Sequence, residues 1–159
     1  MASDAEAQPA AAKLFADAVF VAPARAFVRA RPGFRSKAWL YTFTRVPIGA
    51  RLLRLGAHHG CELGYVFDTL DAPGSMGIEA ADRALAKTVS GAWVRFARTG
   101  DPNGEGLPEW PAYTPGNDAH LELGDAVRSG TGLRKAQCDL FEEVWAALRP
   151  KAAPPKRYY

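Results

Sequence analysis

Gly56-Ala57-His58-His59-Gly60-Cys61-Glu62-Leu63-Gly64-Tyr65-Val66-Phe67 is the stretch from which the rest of this 159-residue chain is read. Two adjacent histidines sit between glycines, with a thiol and a carboxylate within three residues and an aromatic, apolar run behind them. Glycine on either side lets the backbone bend sharply without a Cβ penalty, and Tyr65, Val66 and Phe67 supply apolar mass to anchor the bend. Imidazole titrates close to neutral pH, so a loop histidine held at a fixed place suits proton transfer. The same residues also fit a solvated loop whose histidines only hydrogen-bond. Taken alone, the stretch leaves both readings open.

Upstream, Ala38-Trp39-Leu40-Tyr41-Thr42-Phe43-Thr44 is rich in aromatic and β-branched residues and predicts a strand. Residues 45–58 then form a loop leading to His59, which places the histidine just beyond a strand end, where the sites of open α/β sheets lie. Asp17 to Arg31 reads as a helix. Pro23 is tolerated only in a first turn, so the helix proper begins near Ala22 and ends at Arg31-Pro32-Gly33. Residues 1–12 read as a disordered leader, alanine-rich and without apolar pattern.

Downstream, Asp68 to Gly77 is turn chemistry throughout. Ile78 to Arg98 carries Ile78, Ala81, Leu85, Val89, Trp93 and Phe96 at three-and-four spacing, which predicts a long amphipathic helix with one core face, stopped by Gly100. Asp101-Pro102-Asn103-Gly104 reads as a turn, with Trp110 and Pro111 packing a loop onto the body. Leu121-Glu122-Leu123 is a short strand. Leu133 to Leu148 is a C-terminal helix closed by Pro150, and residues 149–159 read as a disordered tail.

Several of these strings together resemble one family. The histidine stretch is similar to the catalytic-histidine segment of the type B carboxylesterases, the family of the cholinesterases and the bacterial para-nitrobenzyl esterases. Trp93-Val94-Arg95-Phe96-Ala97-Arg98-Thr99-Gly100-Asp101-Pro102-Asn103 resembles that family's Trp-x-x-Phe-Ala-x-Thr-Gly-Asp-Pro-Asn, and Trp110-Pro111-Ala112-Tyr113 its Trp-Pro-x-Tyr. Residues 38–44 resemble its Tyr-x-Tyr-x-Phe strand with Trp39 in place of the first tyrosine, and Asp17 to Arg25 its helix-entrance segment. The resemblance spans residues 13–148 and implies an α/β architecture: the C-terminal portion of an α/β-hydrolase fold, with late sheet strands and amphipathic helices. It selects His59 over His58 as the general base, because the family's histidine precedes the glycine and lies three residues before the glutamate. It gives Glu62 the supporting role of a carboxylate that organises the loop. It implies ester hydrolysis without metal or organic cofactor, and it leaves Cys138 unpaired, since the family's partner position is Ala22 here.

A serine esterase needs an attacking serine, a histidine that takes and returns its proton, an acid that orients the imidazole, and amides for the oxyanion. In α/β-hydrolases their chain order is serine, acid, histidine. No serine here stands in the Gly-x-Ser-x-Gly elbow: Ser75 has Gly77 but Pro73, Ser129 has neither glycine, and Ser3, Ser36 and Ser90 also fail. The family's acid lies far upstream of its histidine; Asp17 matches a structural aspartate instead. The chain is therefore expected to hold the triad's base without its nucleophile, and to turn over no ester alone. Its expected partners are an upstream N-terminal esterase portion or a second copy, with a small ester as substrate only once complemented. The rival readings are a non-catalytic remnant of an esterase and an interaction module that uses the C-terminal helix.

Bulk properties exclude other classes. The formal charge of +3 is dispersed and no basic run exceeds two residues, which argues against nucleic-acid binding. No stretch approaches the roughly 20 apolar residues of a membrane helix, and the N-terminus lacks the basic start and apolar core of a secretory signal; a cytoplasmic location is expected. Two cysteines make no disulfide framework. His58, His59, Cys61 and Glu62, with His120 in a distant segment, fall short of the converging ligand set that zinc requires, so no metal is expected.

Overall fold

The computed structural model describes residues 4–30, 36–54, 56–73 and 77–149. They fall into two compact units, one from the chain's two ends (1–30 and 134–159) and one from residues 31–133. The expected helix stop at Arg31-Pro32-Gly33, Ser75, Pro150, the first three residues of the leader and all but the first residue of the tail lie outside the described residues.

In the central unit the longest element is α5, Ala80–Thr99, numbered after the four shorter helices given below. It opens on a capping box in which the Glu79 amide donates to Asp82 Oδ2 at 2.8 Å, satisfying a donor that a helix start would otherwise leave open. It closes on Gly100, whose φ of 75° is the left-handed conformation glycine adopts without strain. The buried face runs through Asp82, Leu85, Ala86, Val89 and Ala92. This stripe departs from the one the spacing predicts: Ala81 and Phe96 are exposed, and a carboxylate begins the core face. The aromatic residues of α5 are used from the side instead, Trp93 meeting Tyr41 edge-on at 5.0 Å and Phe96 meeting Trp39 at 5.7 Å.

Among the described residues three strands form one mixed sheet in the order β1 (Tyr41–Phe43), β2 (Ala119–Leu123), β3 (Val127–Thr131). β1 and β2 are parallel with Tyr41 opposite Leu121, and β2 and β3 are antiparallel with His120 opposite Gly130. Parallel neighbours need a crossover, and α5 supplies it. The strand expected over 38–44 keeps only three residues in the ladder. Its flanks are held by the following loop: Trp39 Nε1 donates to the Trp110 carbonyl at 3.1 Å, and Trp110 Nε1 donates to that of Leu40 at 3.0 Å. Trp110 itself is buried, and Asn103 accepts from its amide and donates to its carbonyl, so the Asp101–Gly104 turn clips this loop down. Tyr65, Leu70, Leu85, Ala86, Val89, Ala92, Trp110, Leu121 and Leu123 make the core.

Between β1 and α5 the segment expected to be loop contains a short helix, α3 (Ile48–Leu52), and the run after the histidines closes into a single turn, α4 (Leu63–Val66). β3 was not expected, because Val127-Arg128-Ser129-Gly130-Thr131 has one apolar residue and lies mostly exposed at the sheet edge.

In the terminal unit, residues 4–12 of the expected leader are helical. They belong to α1 (Asp4–Ala16), where alanine, the strongest helix former, offsets Pro9 inside the helix. A π-helical turn at Asp17–Val21 links α1 to α2 (Ala22–Arg29), the Ala22 amide donating to the Asp17 carbonyl five residues back. The wide turn sits where Pro23, which has no N–H to donate, enters the helix. α6 runs from Lys135 to Leu148, two residues later than expected, after Arg134 at φ 46°. Arg134 pairs with Asp17, and Arg29 Nη1 reaches Glu142 at 2.9 Å and Asp139 at 3.1 Å. Among the described residues no helix is long and apolar enough to cross a membrane.

Candidate active site

His59 lies on a turn that local bonds shape: the Cys61 amide donates to the His58 carbonyl at 3.1 Å, and the Leu63 amide to that of Gly60 at 3.2 Å. Gly60 has φ 84°, which a residue with a Cβ adopts only under strain. Both imidazoles are exposed, and His58 Nδ1 is 3.3 Å from the Gly56 carbonyl oxygen. Glu62 is half-buried at the entrance to α4, where its carbonyl accepts from the Tyr65 and Val66 amides, both at 2.9 Å. Of the three apolar residues behind the turn, Tyr65 is enclosed, Val66 half-buried and Phe67 exposed. The anchoring mass is thus chiefly one ring, Tyr65, packed 4.9 Å from Phe43 of β1.

Burial, and then the charge of Glu62, push the Cys61 thiol up to about 11. It is therefore protonated at neutral pH. The phenol of Tyr41 is raised in the same way, by burial first and then by Glu62. His120 sits on β2 with Gly130 beside its ring, in a segment of the sequence remote from the histidine turn. Among the described residues no group of three or more His, Cys, Asp or Glu side chains is placed to hold a metal ion. Ser129, on β3, donates its hydroxyl to the Glu109 carbonyl.

The sequence reading missed the polar centre beneath the turn. Asp82, with no exposed surface, accepts from Arg45 Nε at 2.7 Å and the Tyr65 hydroxyl at 2.8 Å, both on Oδ1, and from the Glu79 amide on Oδ2. Arg45 also donates to Asp125 Oδ1 at 2.7 Å and Glu79 Oε2 at 3.2 Å, and Arg51 joins Asp125 at 3.2 Å. Burial works to raise the Asp82 carboxyl, but Arg45, the Glu79 amide and the Tyr65 hydroxyl together hold it below the usual carboxylate range. The Tyr65 phenol is raised, by burial first and then by its bond to Asp82. The Glu79-Ala-Ala-Asp82 spacing ahead of an apolar run was the available signal for Asp82; no comparable signal marks Arg45.

Comparison with known proteins adds the following. A family model described as the Carboxylesterase family matches residues 2–141. Liver carboxylesterase 1 of Oryctolagus cuniculus is 30% identical over 141 residues, 87% of this chain and 25% of that protein. Cocaine esterase of Homo sapiens is 32% identical over 135 residues, 83% of this chain and 24% of that protein. Among solved structures, PNB esterase is 26% identical with a TM-score of 0.65, over 79% of this chain and 26% of that one. A carboxylesterase of Geobacillus stearothermophilus is 36% identical with a TM-score of 0.52, over 64% and 22%. The chain spans about a quarter of the length of the curated relatives it matches.

Proposed function

Because this chain belongs to the carboxylesterase family and its sheet and helices are part of the α/β-hydrolase fold, we propose that it supplies the general-base histidine, His59, of a serine esterase whose nucleophile and acid reside on another stretch of polypeptide. In this reading the serine hydroxyl attacks the ester carbonyl while His59 takes its proton. The same proton then leaves with the alcohol as the acyl-enzyme forms, and a water activated by His59 releases the acid. Glu62 organises the turn. The observation that supports this best is the exposed imidazole on a glycine-bent turn, followed by α4, whose Tyr65 is bonded to the buried Asp82. The partner is an upstream esterase portion or a second copy, the substrate a small carboxylic ester, and the setting the cytoplasm, which fractionation of a tagged chain tests.

Hydrolysis of p-nitrophenyl esters is the direct test. The chain alone is expected to show none, the chain mixed with an N-terminal carboxylesterase portion to show turnover, and His59→Ala in the mixture to lose at least about 10⁴-fold, as removal of a triad histidine does. Turnover by the chain alone that survives His59→Ala overturns the reading. A second reading, an interaction module, is favoured by one observation: Leu140, Val144 and Leu148 of α6 are 59%, 43% and 74% exposed. Retention of a bound protein by the intact chain and its loss on deleting α6, with no activity in the mixture, supports that alternative.

A further inference from the structure

The backbone hydrogen bonds that shape the His59 turn join near neighbours in sequence. A buried side-chain anchor stands at each end of the excursion that carries this turn. Arg45 stands two residues beyond β1 and Tyr65 lies in α4, so α3 and His59 fall between these two points in sequence, with Gly49 of α3 close against Gly77. Both side chains donate to the same atom, Asp82 Oδ1, at 2.7 and 2.8 Å. Arg51, within the excursion, shares Asp125 Oδ1 with Arg45 and donates from Nε to the Val46 carbonyl at 2.7 Å.

We propose that Asp82 is a positioning residue for the His59 imidazole, clamping both ends of the histidine-bearing excursion through Arg45 and Tyr65. The inference rests on the reading of His59 as general base. A buried carboxylate–guanidinium pair contributes little stability beyond what a well-packed apolar set would give, because desolvation offsets the attraction. What the pair adds here is direction. Three hydrogen bonds from separate segments converge on one carboxylate that has no exposed surface and is itself fixed in the first turn of α5. An apolar replacement would fill the space and remove the shared acceptor that joins the two ends. A displacement of about 1 Å at a reacting group is enough to lose about 10²-fold in rate, so a clamp at this place acts on chemistry through His59 without touching substrate.

The test uses the full chain and two variants. Tyr65→Phe keeps the ring against Phe43 and removes one donor; Asp82→Asn keeps an acceptor and removes the charge. The chain has three histidines, so imidazole ¹H–¹⁵N spectra separate His58, His59 and His120. In whichever variant retains its circular dichroism, the His59 ring signals are expected to shift and broaden while those of His120 stay in place. In the complemented mixture kcat is expected to fall about 10²-fold with KM unchanged. His59 signals that stay at their original positions in a folded variant overturn the proposal and leave Asp82 a stabilising residue only. A mixture that is inactive even with the unaltered chain counts against the general-base reading, and the imidazole spectra then judge the clamp by themselves.

Discussion

Gly60 carries the bend on which His59 stands. A Cβ there would meet only Leu63 Cδ1 at 3.8 Å, an ordinary contact, so the objection to a side chain is the backbone angle of 84°. Gly60→Ala is expected to destabilise the chain by about 1–2 kcal/mol, seen as a lower urea midpoint. Asp82 is the costlier residue: Asp82→Ala leaves Arg45 its bonds to Asp125 and Glu79 but takes the acceptor from Arg45 Nε and the buried Tyr65 hydroxyl, and should cost about 1–3 kcal/mol by the same measurement. Its folded pKa lies below that of an unfolded aspartate, near 3.9. The carboxylate's contribution is therefore fully present above about pH 4 and is lost as pH falls through the folded value. Urea midpoints of Asp82→Asn should accordingly decline less steeply in acid than those of the unaltered chain. His59 and Glu62 were legible as a motif because they are neighbours. The meeting of Arg45, Tyr65 and Asp82 was not, because it depends on a tertiary approach that no local pattern encodes, although Tyr65 was legible as an anchor and Asp82 as a helix start.

At the level of elements, the His120–Gly130 pair explains why the last strand took the residues it did. A Cβ at Gly130 would stand 2.7 Å from His120 Cε1 and 2.9 Å from Nε2, so the strand lies against the ring only where a side chain is missing. Gly130→Ala is expected to push the ring aside and lower stability by about 1–3 kcal/mol, with the largest amide shifts along β2 and β3. This strand escaped the sequence reading for the same reason: a glycine and four residues facing largely outward give no alternation to detect. α5 was legible in extent, since its apolar spacing and Gly100 are local. Its face was read one step off because Trp93 and Phe96 pack sideways onto β1 and its flank, while small Ala86 and Ala92 take the interior. α1 was missed because alanine gives a helix without an amphipathic stripe.

Across the whole molecule, β1 has a neighbour on one side only among the described residues, and Ile48, Leu52, Leu53, Leu63 and Phe67 around the histidine turn are exposed. A sheet edge and apolar side chains open together favour association. Sedimentation velocity on the isolated chain is expected to show oligomers that a supplied N-terminal portion disperses; a monodisperse monomer would contradict this. The parallel register also bears on the order in which the chain is expected to fold. Tyr41 and Leu121 are partners although about 80 residues separate them, whereas β2 and β3 are joined by a short turn. Hairpins zip in microseconds, but ends so remote must first find each other against chain entropy. The His59 turn lies inside that long circuit, so under the proposed role its imidazole is expected to reach its place only once this remote pairing has closed.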